Sequence, residues 1–227
     1  MLRRIFIFIV LLMTAWVFAD IALNFTERTQ LTGVSKYYVE NTAKELGAAN
    51  IVTAVVVTYR GLDTLGEVTV LFIAAAGIGL MLSRRKQDQH VKQRVIASEV
   101  VQTATQIILP MILLFGVYIF LNGHLTPGGG FQGGAVIASG AMLLLITLPD
   151  QPFNNQLLHR VESLSGFFYV MIGVLGILLA GGFLDNRIMA LGTFGSLFSA
   201  GAIPLIYLLI GLKVGAELST VLQRFRW

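Results

Sequence analysis

The chain has 227 residues, 56% of them hydrophobic and only 12% charged, with a formal net charge of +4 and a mean hydropathy of +0.78. Soluble domains carry about 25% charged residues, so this composition excludes an ordinary soluble domain and indicates an all-α integral membrane protein. There is no cysteine, which excludes disulfides, thiolate metal sites and cysteine-ligated iron–sulfur clusters.

A membrane-spanning helix needs about 20 mostly apolar residues, and six stretches qualify. The first runs from about Ile5 to Leu23. Its opening, "MLRRIFIFIVLLMTAWVFAD", has the basic start, apolar run and small-residue end (Val17-Phe18-Ala19) of a signal peptide, but reads as a retained first helix. Asn24–Asn50 follows. Its portion "VSKYYVENTAKELGAAN" has modest helical spacing and balanced charge, which predicts a short interfacial helix.

The second stretch, "NIVTAVVVTYRGLDTLGEVTVLFIAAAGIGLML" (Asn50–Leu82), is too long for one upright helix. Its 33 residues would reach about 50 Å at 1.5 Å per residue, against a bilayer core of about 30 Å. A strong tilt or a break near Gly61 or Gly66 is required, and a half-helix followed by a full span satisfies it. Arg60, Asp63 and Glu67 lie at spacings of three, four and seven. If the segment is helical throughout, they share one face. Charge at membrane depth is costly, and Arg60 balances only one of the two carboxylates. Glu67 is then a candidate proton carrier, or a partner for a cation on another protein of the same assembly. The competing reading is an interfacial salt-bridge cluster that anchors the helix.

Four further spans run from about Val100 to Leu121, Phe131 to Leu148, Leu164 to Leu184, and Thr193 to Leu212 or beyond. Between the third and fourth lies "HLTPGGGFQGG". Pro127 fixes one torsion, and Gly128, Gly129 and Gly130 admit positive φ, so this reads as a short hairpin between two helices. The lysine and hydroxyl residue of a phosphate-binding loop are missing. His124 opens the turn as a structural residue or as a pH sensor. Near the end, "GLKVGAEL" places Lys213 and Glu217 four apart. They pair at the cytoplasmic surface if Lys213 snorkels, or form a step in a polar path if they lie at depth.

Basic residues set the orientation. "SRRKQDQHVKQR" (Ser83–Arg94), Arg3 and Arg4, and Arg224 and Arg226 all fall on one side of a six-span chain. The positive-inside rule makes that side, with both termini, cytoplasmic. The positive charge therefore reflects topology rather than nucleic-acid binding. The three histidines, His90, His124 and His159, do not give the paired axial ligands of a haem buried in a bundle. No cofactor or metal is expected.

"GHLTPGGGFQGGAVIASG" (Gly123–Gly140) resembles the signature of the MnhB/MrpB-type component of Mrp-type multisubunit cation/proton antiporters, and "GLKVGAEL" is similar to that family's final-helix motif. Asn50–Leu71 resembles the C-terminal part of the large antiporter component, a piece that is separate in membrane-bound hydrogenases. The resemblance implies a two-helix module over residues 1–90 and a four-helix module over 95–227, joined at the basic loop. One departure is Thr58, which stands where an acid is expected. The resemblance further implies a non-catalytic subunit in the cytoplasmic membrane, surrounded by lipid. It would work with other Mrp-type subunits on Na⁺ and H⁺, using Glu67, Asp63, Arg60, Lys213 and Glu217. A structural adaptor attached to hydrogenase or other redox-arm subunits is the alternative.

Overall fold

The computed structural model describes residues 2–25, 30–85, 97–148 and 154–225. Among these, every regular element is helical, and six helices are long and apolar enough to cross a membrane. The basic joint Ser83–Arg94, with His90, lies largely outside the described residues, as do 149–153 and Arg226.

The chain divides into two units, Met1–Tyr37 and Tyr38–Trp227. The first is built on α1 (Leu2–Leu23), a mostly apolar helix with charges only near its two ends. Asn24 closes it by donating to the Asp20 carbonyl at 2.9 Å and to the Asp20 carboxylate at 2.8 Å. Helix α2 (Val34–Leu46) begins in this unit and is the short helix expected between Asn24 and Asn50.

The second unit opens with a broken helix. After α3 (Ile51–Ala54) the backbone widens into a π turn over Val55–Tyr59, leaves helical geometry at Arg60 (φ −126°, ψ 40°), and restarts as α4 (Gly61–Arg85). A break frees backbone carbonyls, which cannot stay unpaired in a membrane. The Thr64 hydroxyl meets this need by donating to the Val56 carbonyl at 2.6 Å. Gly61 lets the restart pack closely, since a Cβ there would sit 3.0 Å from Leu184 Cβ. Leu184 is itself fully buried and has φ +58°, a conformation that costs an L residue roughly 1–2 kcal/mol.

The remaining spans are α5 (Glu99–Leu121), α6 (Gly130–Thr147), α7 (Asn155–Leu179) and α8 (Ile203–Phe225). Helix α8 is the centre of the unit, packing on α4, α5, α6 and α7, with Ile203, Ile206, Ile210 and Val214 almost completely buried. Small residues set the close approaches expected in membranes. A Cβ on Gly130 would come 2.6 Å from Ile210 Cβ, and one on Gly134 would come 2.8 Å from Val214 Cβ.

The bounds of the last two spans differ from the sequence expectation, and the fifth ends at Leu179 rather than Leu184. The last span begins at Ile203 rather than Thr193, because Gly195 (φ +85°) and Gly201 (φ +54°) turn the chain first. Pro204 then takes an opening position of the helix, where its missing N–H costs nothing. The fifth span starts at Asn155 rather than Leu164. The Asn154 side chain caps it by accepting from Leu157 N–H at 3.0 Å.

Candidate functional site

The later start of α8 moves Lys213 from the end of a span to its middle. Lys213 is 8% exposed and Glu217 1% exposed. One helical turn apart, they form an ion pair with Nζ 2.9 Å from Oε2. The reading in which the lysine snorkels to the surface is thus replaced by burial inside the helix bundle. The Lys213 ammonium also lies 5.3 Å from the ring centroid of Phe72 on α4, within range of a cation–π attraction. The second carboxylate oxygen, Glu217 Oε1, is buried without a hydrogen-bond partner.

Beside this pair is a cavity of about 250 Å³ whose walls include Val68 and Phe72 of α4, Glu162, Gly166 and Tyr169 of α7, and Lys213. Glu162 lies two turns inside α7. Its side chain is 14% exposed, and Oε2 lies 3.6 Å from Nδ1 of His159, one turn earlier on the helix. Glu162 acts electrostatically on Glu217. Tyr169 is 1% exposed, and its hydroxyl has no hydrogen-bond partner. The sequence reading names neither residue: with the fifth span expected from about Leu164, Glu162 falls just outside it, and Tyr169 is one residue of a long apolar run. The available signal was Asn154 as a cap, which puts Glu162 and Tyr169 on one face at a spacing of seven.

The predicted cluster on α4 is more open. Arg60 and Asp63 form an ion pair in which both side chains are more than half exposed. Arg60 sits at the helix break, so the three residues do not lie on one continuous helix. Glu67 is exposed on the second turn of α4, and its charge acts on the hydroxyls of both Tyr169 and Tyr207. Thr58, at the position where an acid is expected, leaves its hydroxyl buried without a partner.

The glycine turn is held from several sides. Asn50 Nδ2 donates to the carbonyls of Gly123 (2.9 Å) and Thr126 (3.1 Å), and Asn50 N–H donates to the His124 carbonyl at 2.9 Å. Thr53 Oγ1 donates to the Gly123 carbonyl at 2.6 Å and accepts from the Tyr207 hydroxyl at 3.0 Å. The Tyr207 ring lies against the turn, where a Cβ on Gly123 would be 2.7 Å from it. Gly129 has φ +157° and ψ 179°, a region that is essentially glycine's alone. Pro127 and Gly128 complete the turn; a Cβ on Gly128 would be 2.9 Å from the Ile119 carbonyl oxygen. His124 is fully buried, with Nε2 3.3 Å from the Ser196 carbonyl and Nδ1 unpartnered. Burial lowers its pKa, outweighing backbone contacts at Ser196, Leu121 and Leu197 that act in the opposite direction. The imidazole is therefore neutral near pH 7, where even an unperturbed histidine, pKa about 6.5, is mostly uncharged.

Asp185 caps a short 3₁₀ turn, Asn186–Ile188, and pairs with Arg187. Burial alone would raise the Asp185 pKa, but the hydrogen bonds from Arg187 outweigh it and hold the carboxyl below its usual range. Among the described residues, no group of three or more His, Asp or Glu side chains is placed to hold a metal ion. The cavity brings one carboxylate, Glu162, one ammonium, Lys213, and one phenol, Tyr169, into a mostly apolar surround.

Residues 100–220 match a family model described as a domain related to the MnhB subunit of the Na⁺/H⁺ antiporter. Residues 2–98 match the MbhE model, which describes one of the subunits of MBH. The chain is 33% identical over 195 residues to an uncharacterised protein of Methanocaldococcus jannaschii, covering 75% of this chain and 74% of that one. It is 40% identical over 81 residues to the B-type component of the Na⁺/H⁺ antiporter of Bacillus subtilis. That match takes in 36% of this chain and 51% of the relative, about half its length. A chain in the structure of the membrane-bound sulfane sulfur reductase, an archaeal respiratory membrane complex, superposes with a TM-score of 0.80. It is 39% identical, over 99% of this chain and 98% of that one.

Proposed function

Since this chain belongs to the family of domains related to the MnhB subunit of Na⁺/H⁺ antiporters, we propose that it is a non-catalytic, multi-pass membrane subunit of an Mrp-type cation/proton antiporter module. It contributes to Na⁺/H⁺ translocation and to assembly of the complex. The observation that carries this reading is the Lys213–Glu217 pair, held at depth in the best-buried span beside a cavity. Buried ion pairs are poor stabilisers compared with apolar residues of similar volume, and ionisable groups within membrane spans commonly mark ion or proton routes. Glu67, with the Arg60–Asp63 pair at its helix end, is the second polar station. Residues 1–90 and 95–227 act as two modules whose ancestors were separate chains, with both termini on the cytoplasmic side of the cell membrane.

A second reading is favoured by a specific observation. The match of residues 2–98 to the MbhE model, and the near full-length likeness to a respiratory-complex chain, support a place in a redox-driven pump. There the chain would join the ion-pumping arm to hydrogenase or other redox subunits. Purifying the complex in mild detergent and identifying co-purifying chains by mass spectrometry separates the two readings. Antiporter-type subunits alone support the first, and additional nickel–iron or iron–sulfur subunits support the second. Isolation of this chain with neither contradicts both.

A further inference from the structure

The turn between α5 and α6 presents three backbone carbonyls, those of Gly123, His124 and Thr126, to the segment that opens the broken helix. Asn50 meets all three. Its N–H donates to His124 at 2.9 Å, and its Nδ2 donates to Gly123 at 2.9 Å and to Thr126 at 3.1 Å. The Oδ1 of the same side chain accepts from the N–H groups of Val52 and Thr53 at 3.1 and 3.4 Å. One short amide thus caps α3 and grips the turn, which needs a donor and an acceptor on the same side chain. Three residues on, the buried Thr53 hydroxyl donates to the Gly123 carbonyl at 2.6 Å and accepts from Tyr207 of α8 at 3.0 Å. Asn50 and Thr53 fall in the segment that matches the MbhE model, and the turn and Tyr207 in the segment that matches the MnhB-related domain. Apolar packing of α4 on α8 holds the two segments together but is non-directional. Hydrogen bonds require both a distance and an angle, and a slide of one residue, about 1.5 Å along a helix, would break these together.

We propose that the glycine turn is a docking site that recognises a helix start carrying asparagine at its cap and threonine three residues later. In this chain the occupant is Asn50–Ala54, and the contact forms without the covalent joint between the two matched segments. The proposal rests on the two-module reading above and adds the surface by which the modules recognise each other. The glycines serve it because the acceptors are backbone atoms that the helix start must approach closely. A Cβ on Gly123 would lie 2.7 Å from the Tyr207 ring and 2.9 Å from Gly129 Cα, displacing the carbonyl that takes two of the bonds. The π turn Val55–Tyr59 begins two residues beyond Thr53, and the chain leaves helical geometry at Arg60. The seat therefore sets the position against α8 from which α4 restarts.

Hydrogen–deuterium exchange of the whole purified complex, read by mass spectrometry on peptides covering Leu46–Ala54 and Asn122–Gly134, tests this in two ways. In the first, a protease site inserted within Gln87–Arg94 allows the assembled complex to be cut after purification. Both peptides should exchange as slowly in the cut chain as in the uncut one. A rise of about 10-fold in both, the scale of one or two lost hydrogen bonds, would show that the joint holds the contact, and overturns the proposal. The second compares variants. Asn50→Asp keeps a good helix cap but turns an acceptor towards two carbonyls; Thr53→Val removes the hydroxyl and Thr53→Ser keeps it. Asn50→Asp and Thr53→Val should each raise exchange of the Asn122–Gly134 peptide about 10-fold, with Thr53→Ser at the wild-type rate. If Asn50 is a helix cap alone, Asn50→Asp exchanges as the wild type does, and turn exchange unchanged in both Asn50→Asp and Thr53→Val overturns the docking site. Should Asn50→Asp fail to assemble, the Thr53 pair and the cut chain decide. Proton movement in vesicles, measured on the same samples, keeps the transport reading separate: a wild-type complex that moves no protons contradicts that reading and leaves the exchange result standing.

Discussion

Lys213 Nζ lies 2.9 Å from Glu217 Oε2 on its own helix and 5.3 Å from the Phe72 ring on the neighbouring one. The pair thus ties the span that matches the MnhB-related domain to the broken helix that matches the MbhE model. Either charge alone in that position would be buried without compensation. Lys213→Met or Glu217→Leu should each cost about 3–5 kcal/mol, whereas the double change should recover most of that loss. Thermal unfolding of the purified complex checks this. A double variant as unstable as the sum of its singles would show that the pair is not the unit that matters.

The glycines of α6 set how closely it approaches α8. Gly130→Ala and Gly134→Ala place a Cβ 2.6 Å from Ile210 Cβ and 2.8 Å from Val214 Cβ. Such overpacking should destabilise by about 1–3 kcal/mol. Gly66 has nothing within 4 Å of a built Cβ in this chain, and Gly66→Ala should leave the fold intact or gain up to about 1 kcal/mol of helix propensity. Comparing yields of folded protein and melting temperatures for the three variants decides the point.

His124 predicts a pH effect with a definite sign. Burial lowers its pKa in the folded chain, so the unfolded chain binds its proton more readily. Stability from this site is therefore complete above the unperturbed value of about 6.5, and is lost as pH falls from there towards the folded value. His124→Asn should remove that dependence. A melting profile measured from neutral to acidic pH should show stability falling below about pH 6.5 in the wild type and a flatter curve in the variant.

Much of the fold was legible in the sequence. The long uncharged runs could only be buried helices or membrane spans, and the excess length of Asn50–Leu82 required the break seen at Arg60–Gly61. The last span was harder. "TFGSLFSAGA" before Ile203 is as apolar as a helix, and hydropathy cannot tell an apolar Gly- and Ser-rich loop from a span. That difference in starting point changes the chemistry, because a helix starting at Thr193 ends near Lys213, and one starting at Ile203 buries it. Glu162 was missed for the mirror-image reason. A polar stretch led by Asn154 reads as loop until the cap is recognised, and only then does Glu162 fall inside a helix. The partners of the glycine turn, Asn50 and Thr53, lie 70 residues or more away in sequence, and no local pattern links them to it.

Glu67 occupies an exposed position on a span, where its charge reaches two buried tyrosines. Glu67→Gln is expected to abolish ion exchange while leaving the complex assembled, as judged by co-purified subunits. Exchange at the wild-type rate in that variant would return Glu67, with Arg60 and Asp63, to an anchoring role at the helix end.

The central claim is that the buried pair of α8 takes part in transport. The most direct measurement is Na⁺-driven proton movement in vesicles containing the purified complex, compared between wild type and Glu217→Gln at matched subunit content. The account predicts active exchange in the wild type and loss of about 100-fold or more in the variant, the scale of a removed proton-transfer group. An assembled Glu217→Gln complex that exchanges as fast as wild type would contradict it.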